Sequence, residues 1–332
     1  MEFYNQSFLS LLDYSKEEIE YLIDLAIKFK KLKEHGKAHN LLKRKNIALV
    51  FEKESNLERC AFEVAIHDLG MNTTYLKLNS QKETRESITN NHQILEKMYD
   101  GIVYYGTKHK TLELLLNDTY VPIINGTTDK CSPIQALATL MTIKEHFKTF
   151  RNQRFVYCGD GNCNIASSLM IICSKLGLDF VCCSPKELWP KMELVKKCQV
   201  FAQENHSILF FDEDIMRSTQ NATVVYTAPW INDDEKSYVD RLKLLYSYQV
   251  NKKVINNGER SVVFMHLLPH LITKSTPLGK EIYEKYGIEE LEVTSDVFTS
   301  YKSKVINTTE NYMHITKAVI CATLYDTKSN NK

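Results

Sequence analysis

The chain has 332 residues, 43% of them apolar and 25% charged, which suits a globular protein with room for two domains of ordinary size. A formal net charge of +1 gives no reason to expect a nucleic-acid partner, a membrane-surface partner or a steering field. No apolar run approaches the roughly 20 residues a membrane span needs, and Met1-Glu-Phe-Tyr-Asn5 lacks the basic and apolar regions of a secretory signal, so a cytoplasmic location is expected. The nine cysteines are scattered and odd in number, without zinc-site spacing. They read as buried free thiols of a reducing compartment.

Taken in order, residues 15–35 predict a Ser15-capped amphipathic helix whose basic run Lys28–Lys33 forms its solvated face and end. A buried strand follows at 46–51, then a helix over 56–69. Ser55 and Glu58 have the spacing of a capping box at the start of that helix. Further strands are expected at 73–78, 101–105 and 121–124, with helices over 86–98 and 111–116. A long helix over 133–150 is expected to link two domains. The alternation then restarts, with strands at 154–158, 179–183, 207–211, 223–226 and 261–265 and helices over 165–176 and 192–204. The last predicted helix covers 307–324, and the polar tail 327–332 frays. Such β/α alternation predicts an α/β protein of two doubly wound parallel-sheet domains.

The turn after the first strand sits where open parallel sheets bind ligands, and helix-start N–H groups there suit an anion. Its sequence, Phe51-Glu-Lys-Glu-Ser55 through Arg59 and Phe62-Glu-Val-Ala-Ile-His-Asp-Leu-Gly70, resembles the carbamoyl-phosphate loop of ornithine carbamoyltransferases. The resemblance runs from about residue 5 to residue 325 and includes Met98-Tyr-Asp-Gly-Ile102, Tyr248-Gln-Val-Asn251, Glu292-Val-Thr294 and Glu310-Asn311. It implies the carbamoyltransferase fold. A carbamoyl-phosphate-type domain would cover 1–149 and an ornithine-type domain 150–306, with a C-terminal helix at 307–326 returning to the first domain. It also implies a homotrimer, with no cofactor and no metal.

The site the resemblance implies is heavily substituted. The family's phosphate loop reads Ser-Thr-Arg-Thr-Arg, and here it is Ser55-Asn56-Leu57-Glu58-Arg59. Three family arginines fall on Leu57, Tyr105 and Tyr312, and the His beside the carbamoyl carbonyl falls on Ser132. The Asp that grips the amino acid falls on Ala228, and the Cys of its His-Cys-Leu-Pro falls on Leu267. Family-like residues remain at Ser55, Gln81, Gln135, Asn164 and His266, so the substrate-binding set implied is Ser55, Asn56, Leu57, Glu58, Gln81, Gln135, Asn164 and His266. Ser55, Gln135, Asn164 and His266 also have structural readings: a helix cap, a core amide, a loop hydrogen bond and a strand-end imidazole.

Losing three charge-assisted hydrogen bonds of roughly 1.5–3 kcal/mol each, at about 1.36 kcal/mol per decade, removes on the order of three to six decades of rate, subject to non-additivity. The leading expectation is therefore a protein of this family that has lost carbamoyl transfer and serves as a binding, regulatory or assembly partner, for instance of a catalytic carbamoyltransferase. The alternative is an active carbamoyltransferase of arginine metabolism, making citrulline and phosphate from ornithine and carbamoyl phosphate, or a related transferase with an altered substrate. Glu58 facing the pocket favours the first, and Lys82 or Arg85 filling the place of a lost cation favours the second. Gly159-Asp-Gly161 lacks the G-x-G-x-x-G spacing of a dinucleotide fold.

Overall fold

Two sets of buried parallel strands build the molecule, described here from a computed structural model that covers residues 3–37, 39–78, 95–231, 238–268 and 273–326. The chain divides into two compact units. One comprises Met1–Met141 with Glu310–Lys332, and the other Thr142–Thr309.

In the first unit the sheet order is β2 (Asn72–Lys77), β1 (Asn46–Phe51), β3 (Gly101–Tyr105) and β4 (Ile123–Thr127), all parallel. β1, β3 and β4 are almost wholly buried, whereas the edge strand β2 is half-exposed. Alternation along β1 serves both faces. Ala48 and Val50 join Leu112 and Leu115 in one core cluster, while Phe51 points the other way and meets Phe62 edge-on, ring centres 6.3 Å apart.

The second unit has the sheet order β7 (Leu209–Asp212), β6 (Asp179–Cys183), β5 (Arg154–Cys158), β8 (Val224–Thr227) and β9 (Val263–His266), again parallel. Val156, Val225 and Phe264 pack there with Trp230, Leu245, Val250 and Ile282.

The helices in chain order are α1 (Lys16–Glu34), α2 (Asn56–Asp68), α3 (His109–Asp118), α4 (Pro133–Phe147), α5 (Asn164–Leu176) and α6 (Met192–Glu204). They continue with the short α7 (Ile215–Thr219), α8 (Val239–Leu245) and α9 (Lys252–Asn256), then α10 (Pro277–Tyr286), α11 (Ser295–Phe298) and α12 (Val305–Leu324). The α/β fold with two parallel sheets is as the alternation predicts. No helix among the described residues is long and apolar enough to cross a membrane.

Local differences from the sequence reading have physical causes. The strand expected at 121–124 begins at Ile123, because Pro122 has no N–H to give the ladder, and it continues to Thr127. Gly126 allows that extension, since a Cβ there would stand 3.2 Å from Phe62 Cζ and from the Tyr104 carbonyl. α4 stops at Phe147, because Lys148 adopts a left-handed φ of 65°. The capping box at Ser55 does not form. Ser55 occupies the N-cap position of α2, but its hydroxyl bonds the Glu58 side chain instead of a backbone N–H. Ser15 does form a full capping box with Glu18. Most of the helix expected over 86–98 lies outside the described residues.

Lys30 is not part of a solvated face. Its side chain is only 11% exposed, and its ammonium reaches Asn311 Oδ1 at 2.9 Å and Glu310 Oε2 at 3.3 Å. A second pairing ties the end of α2 to α12. The Lys317 side chain is fully buried and donates to Asp68 Oδ2 at 2.5 Å, which also receives Lys33 at 2.7 Å. Burial pulls the Lys317 ammonium below its ordinary range against the pull of Asp68, and burial followed by the Lys317, Lys30 and Lys33 charges brings His314 down to about 3.

Removing one partner of such a pair strands the other charge. Asp68→Asn is expected to lower stability by about 2–3 kcal/mol, below the fully buried range because Asp68 keeps some water contact. Adding Lys317→Met should recover a large part of that loss. Urea unfolding of both variants checks this, and additive losses in the double variant would count against the pairing.

Candidate functional site

Four candidate positions of the first unit, retained Ser55 and substituted Glu58, Tyr105 and Tyr312, lie at the carboxyl edge of its sheet. Ser55 and Glu58 follow β1, Tyr105 ends β3, and Tyr312 comes from α12. Glu58 is 8% exposed, Tyr105 7% and Tyr312 5%. The Ser55 hydroxyl donates to Glu58 Oε2, and the buried Tyr105 hydroxyl stands near enough to both side chains to feel the Glu58 charge. Burial first, and the Glu58 charge second, push both tyrosine hydroxyls well above their ordinary range. The Tyr312 hydroxyl has no hydrogen-bond partner among the described residues.

Aromatic packing fixes these groups. Phe51 stacks on Tyr105 with ring centres 4.8 Å apart, and Phe62 meets Tyr312 edge-on at 6.0 Å. Lys53 Nζ lies 5.8 Å from the Tyr105 ring centre, and Arg59 Cζ lies 4.0 Å from that of Tyr75. Arg59 also donates to Glu63 Oε1 at 2.8 Å, so its guanidinium is engaged one turn along the helix. Asn56 is exposed and Leu57 half-buried. Ser132 and Gln135 are both buried at the start of α4, where the Ser132 carbonyl accepts from the Ala136 N–H at 3.1 Å. Gln81, Lys82 and Arg85 lie outside the described residues.

Sequence reasoning missed Glu52. Its N–H donates to the Tyr105 carbonyl at 2.9 Å, and its carboxylate accepts from the Thr107 N–H and hydroxyl at 2.8 and 2.7 Å. Glu52 thereby ties the turn after β1 to the turn after β3. Its place in Phe51-Glu-Lys-Glu-Ser55, directly after a buried strand, was the available signal.

In the second unit the candidate residues also stand at the carboxyl ends of strands. Asn164 opens α5 after β5, Ala228 follows β8, His266 ends β9, and Leu267 follows it, half-buried. Gly159 has φ +123°, and a Cβ there would meet Trp230 Nε1 at 3.0 Å, so only glycine lets the loop pass the indole. Asp160 pairs with Arg241 at 2.7 Å, and Arg241 Nε donates to the Trp230 carbonyl at 2.7 Å. Cys163 Sγ lies 3.1 Å from the Tyr157 hydroxyl, and burial, then Asp160, push its thiol up to about 11. His266 Nε2 faces Glu292 Oε1 at 3.2 Å, with both side chains fully buried. Asp160, Arg241 and Glu292 were not singled out from the sequence as site residues. Arg241 is 81 positions from Asp160, so nothing local marks the pair.

Two parallel α/β units, each gathering candidate residues at the carboxyl edge of its sheet, define a carbamoyltransferase-type protein. The family model of the aspartate/ornithine carbamoyltransferase carbamoyl-P binding domain matches residues 6–145, and that of the Asp/Orn binding domain matches residues 151–323. The chain is 44% identical over 322 residues to a protein of Treponema denticola named "Ornithine carbamoyltransferase, catabolic", covering 96% of this chain and 95% of that one. It is 41% identical over 322 residues to a Bacillus cereus protein of the same name, covering 96% of each. The solved structure of ornithine carbamoyltransferase from Pyrococcus furiosus matches with a TM-score of 0.88 at 33% identity, covering 98% of each chain. The chain belongs to the aspartate/ornithine carbamoyltransferase family, on its ornithine carbamoyltransferase side.

The contacts of Arg241 generate a test within the second unit. Arg241→Gln removes the cation from Asp160 and the donor from the Trp230 carbonyl. A stability loss of about 1–3 kcal/mol is expected, with faster amide hydrogen exchange over Gly161–Asn164. Unchanged exchange there would show that Arg241 does not hold the loop.

Proposed function

We propose that this chain performs carbamoyl transfer of the ornithine carbamoyltransferase type, from carbamoyl phosphate to ornithine with release of citrulline and phosphate, at a strongly reduced rate. The observation that carries this reading is the 44% identity over 322 residues to a protein named as a catabolic ornithine carbamoyltransferase. Such relatives support the active alternative better than loss of function. The reduced rate follows from Leu57, Tyr105 and Tyr312, which offer no cation to a departing phosphate. Lys53, with its ammonium 5.8 Å from the Tyr105 ring centre, is a candidate to supply one. We further propose a cytoplasmic homotrimer, since closed cyclic symmetry suits one repeated heterologous contact.

A second reading keeps the fold without the chemistry, as a binding or assembly protein. Buried Glu58, bonded by Ser55, is the specific observation in its favour. A carboxylate about 4 Å from a phosphate oxygen, at an effective dielectric of about 20, repels it by on the order of 4 kcal/mol per unit charge.

Citrulline formation by the full chain, with both substrates near saturation, separates the two. The Treponema denticola relative serves as the reference. The transferase reading expects citrulline above the protein-free background, about three to six decades below the reference. Citrulline no greater than background would sink it in favour of the second reading.

A further inference from the structure

Glu58 is the one acidic side chain in the first turn of α2, directly after the turn that follows β1. It is not splayed into solvent. The Ser55 hydroxyl donates to it, the stacked Tyr105 stands near it, and it is 8% exposed. A carboxylate in this position is also favoured by the unpaired N–H groups and positive dipole end of the helix. Those are the features that would draw an external phosphate.

A separate observation comes from α12. Tyr312 is 95% buried by its 5% exposure, its hydroxyl has no partner among the described residues, and it feels the charge of Glu58 and the hydroxyl of Tyr105. A buried hydroxyl left unbonded beside a bonded carboxylate is a spare hydrogen-bonding group at this point. The walls are apolar: Phe51 lies under Tyr105, and Phe62 meets Tyr312 edge-on.

We propose that Glu58 is the specificity-determining residue of this subsite, an internal carboxylate that competes with a bound phosphate and weakens anion binding at the turn after β1. This rests on the reading of that turn as the donor-phosphate subsite. An incoming dianion must take the Ser55 hydroxyl from Glu58, and it must then either share the space with a like charge or drive that carboxylate out of its burial. Once Glu58 is neutral, the Ser55 hydroxyl, the unbonded Tyr312 hydroxyl and the helix-start N–H groups become available to a phosphate. The barrier to anion binding therefore lies in one side chain, although rapid catalysis also lacks the missing cations.

Calorimetric titration of the full chain with inorganic phosphate, and separately with carbamoyl phosphate, tests this in wild type, Glu58→Gln and Glu58→Thr. Glu58→Gln keeps the shape and removes the charge, and Glu58→Thr serves if the glutamine variant does not fold. Affinity for both anions is expected to rise about tenfold or more in the variants. Adding Tyr312→Phe to the variant should remove part of that gain. Phosphate binding equal in wild type and variant would overturn the proposal. The readout is binding and not turnover: a gain in phosphate affinity upholds the role of Glu58 even where the wild-type chain makes no citrulline, the result that alone defeats the transferase reading.

Discussion

The contact between the Glu58 carboxylate and the Ser55 hydroxyl organises the candidate site of the first unit. Around it stand Phe51, Phe62, Tyr105 and Tyr312, placed by ring packing with one another. Burying a carboxylate is costly unless hydroxyl or N–H donors compensate it. Here the Ser55 hydroxyl and the start of a helix do so, and they are then committed to an internal partner. The turn retains the geometry of an anion cradle while its charge is supplied from within the chain.

The second unit shows the same economy of charge. Asp160 is spent on Arg241, and fully buried His266 faces fully buried Glu292. Single-sided replacement in such pairs costs more than the pair itself contributes, because it leaves a desolvated charge behind. These residues hold the loop after β5 and the end of β9 in place, and they present few free charges to a ligand. Buried Glu292 Oε2 and His266 Nδ1 have no hydrogen-bond partner among the described residues.

Much of this architecture was legible in the sequence. Runs such as Asn46–Phe51 and Arg154–Cys158 are apolar enough to be buried strands, and the helices between them have clear periodicity, so the two parallel sheets followed from alternation alone. The short helices between residues 215 and 298 were not, because five or seven residues carry no period and tertiary packing holds them. The Ser55–Glu58 spacing matched a capping box, but spacing cannot say whether a hydroxyl will choose a backbone N–H or a side chain. The convergence of Glu58, Tyr105 and Tyr312 and the pairing of Lys317 with Asp68, 249 positions apart, are properties of the folded chain and leave no local trace. The resemblance named the positions that matter, and only the packing showed what the substituted side chains do with one another.

The central claim is that Glu58 occupies the place of a bound anion. A crystal structure of the full chain grown with excess carbamoyl phosphate addresses it directly. The account predicts density for the Glu58 carboxylate against Ser55, with an anion at the start of α2 at no more than partial occupancy. An anion at full occupancy on the first-turn N–H groups, with Glu58 turned out to solvent, would contradict it.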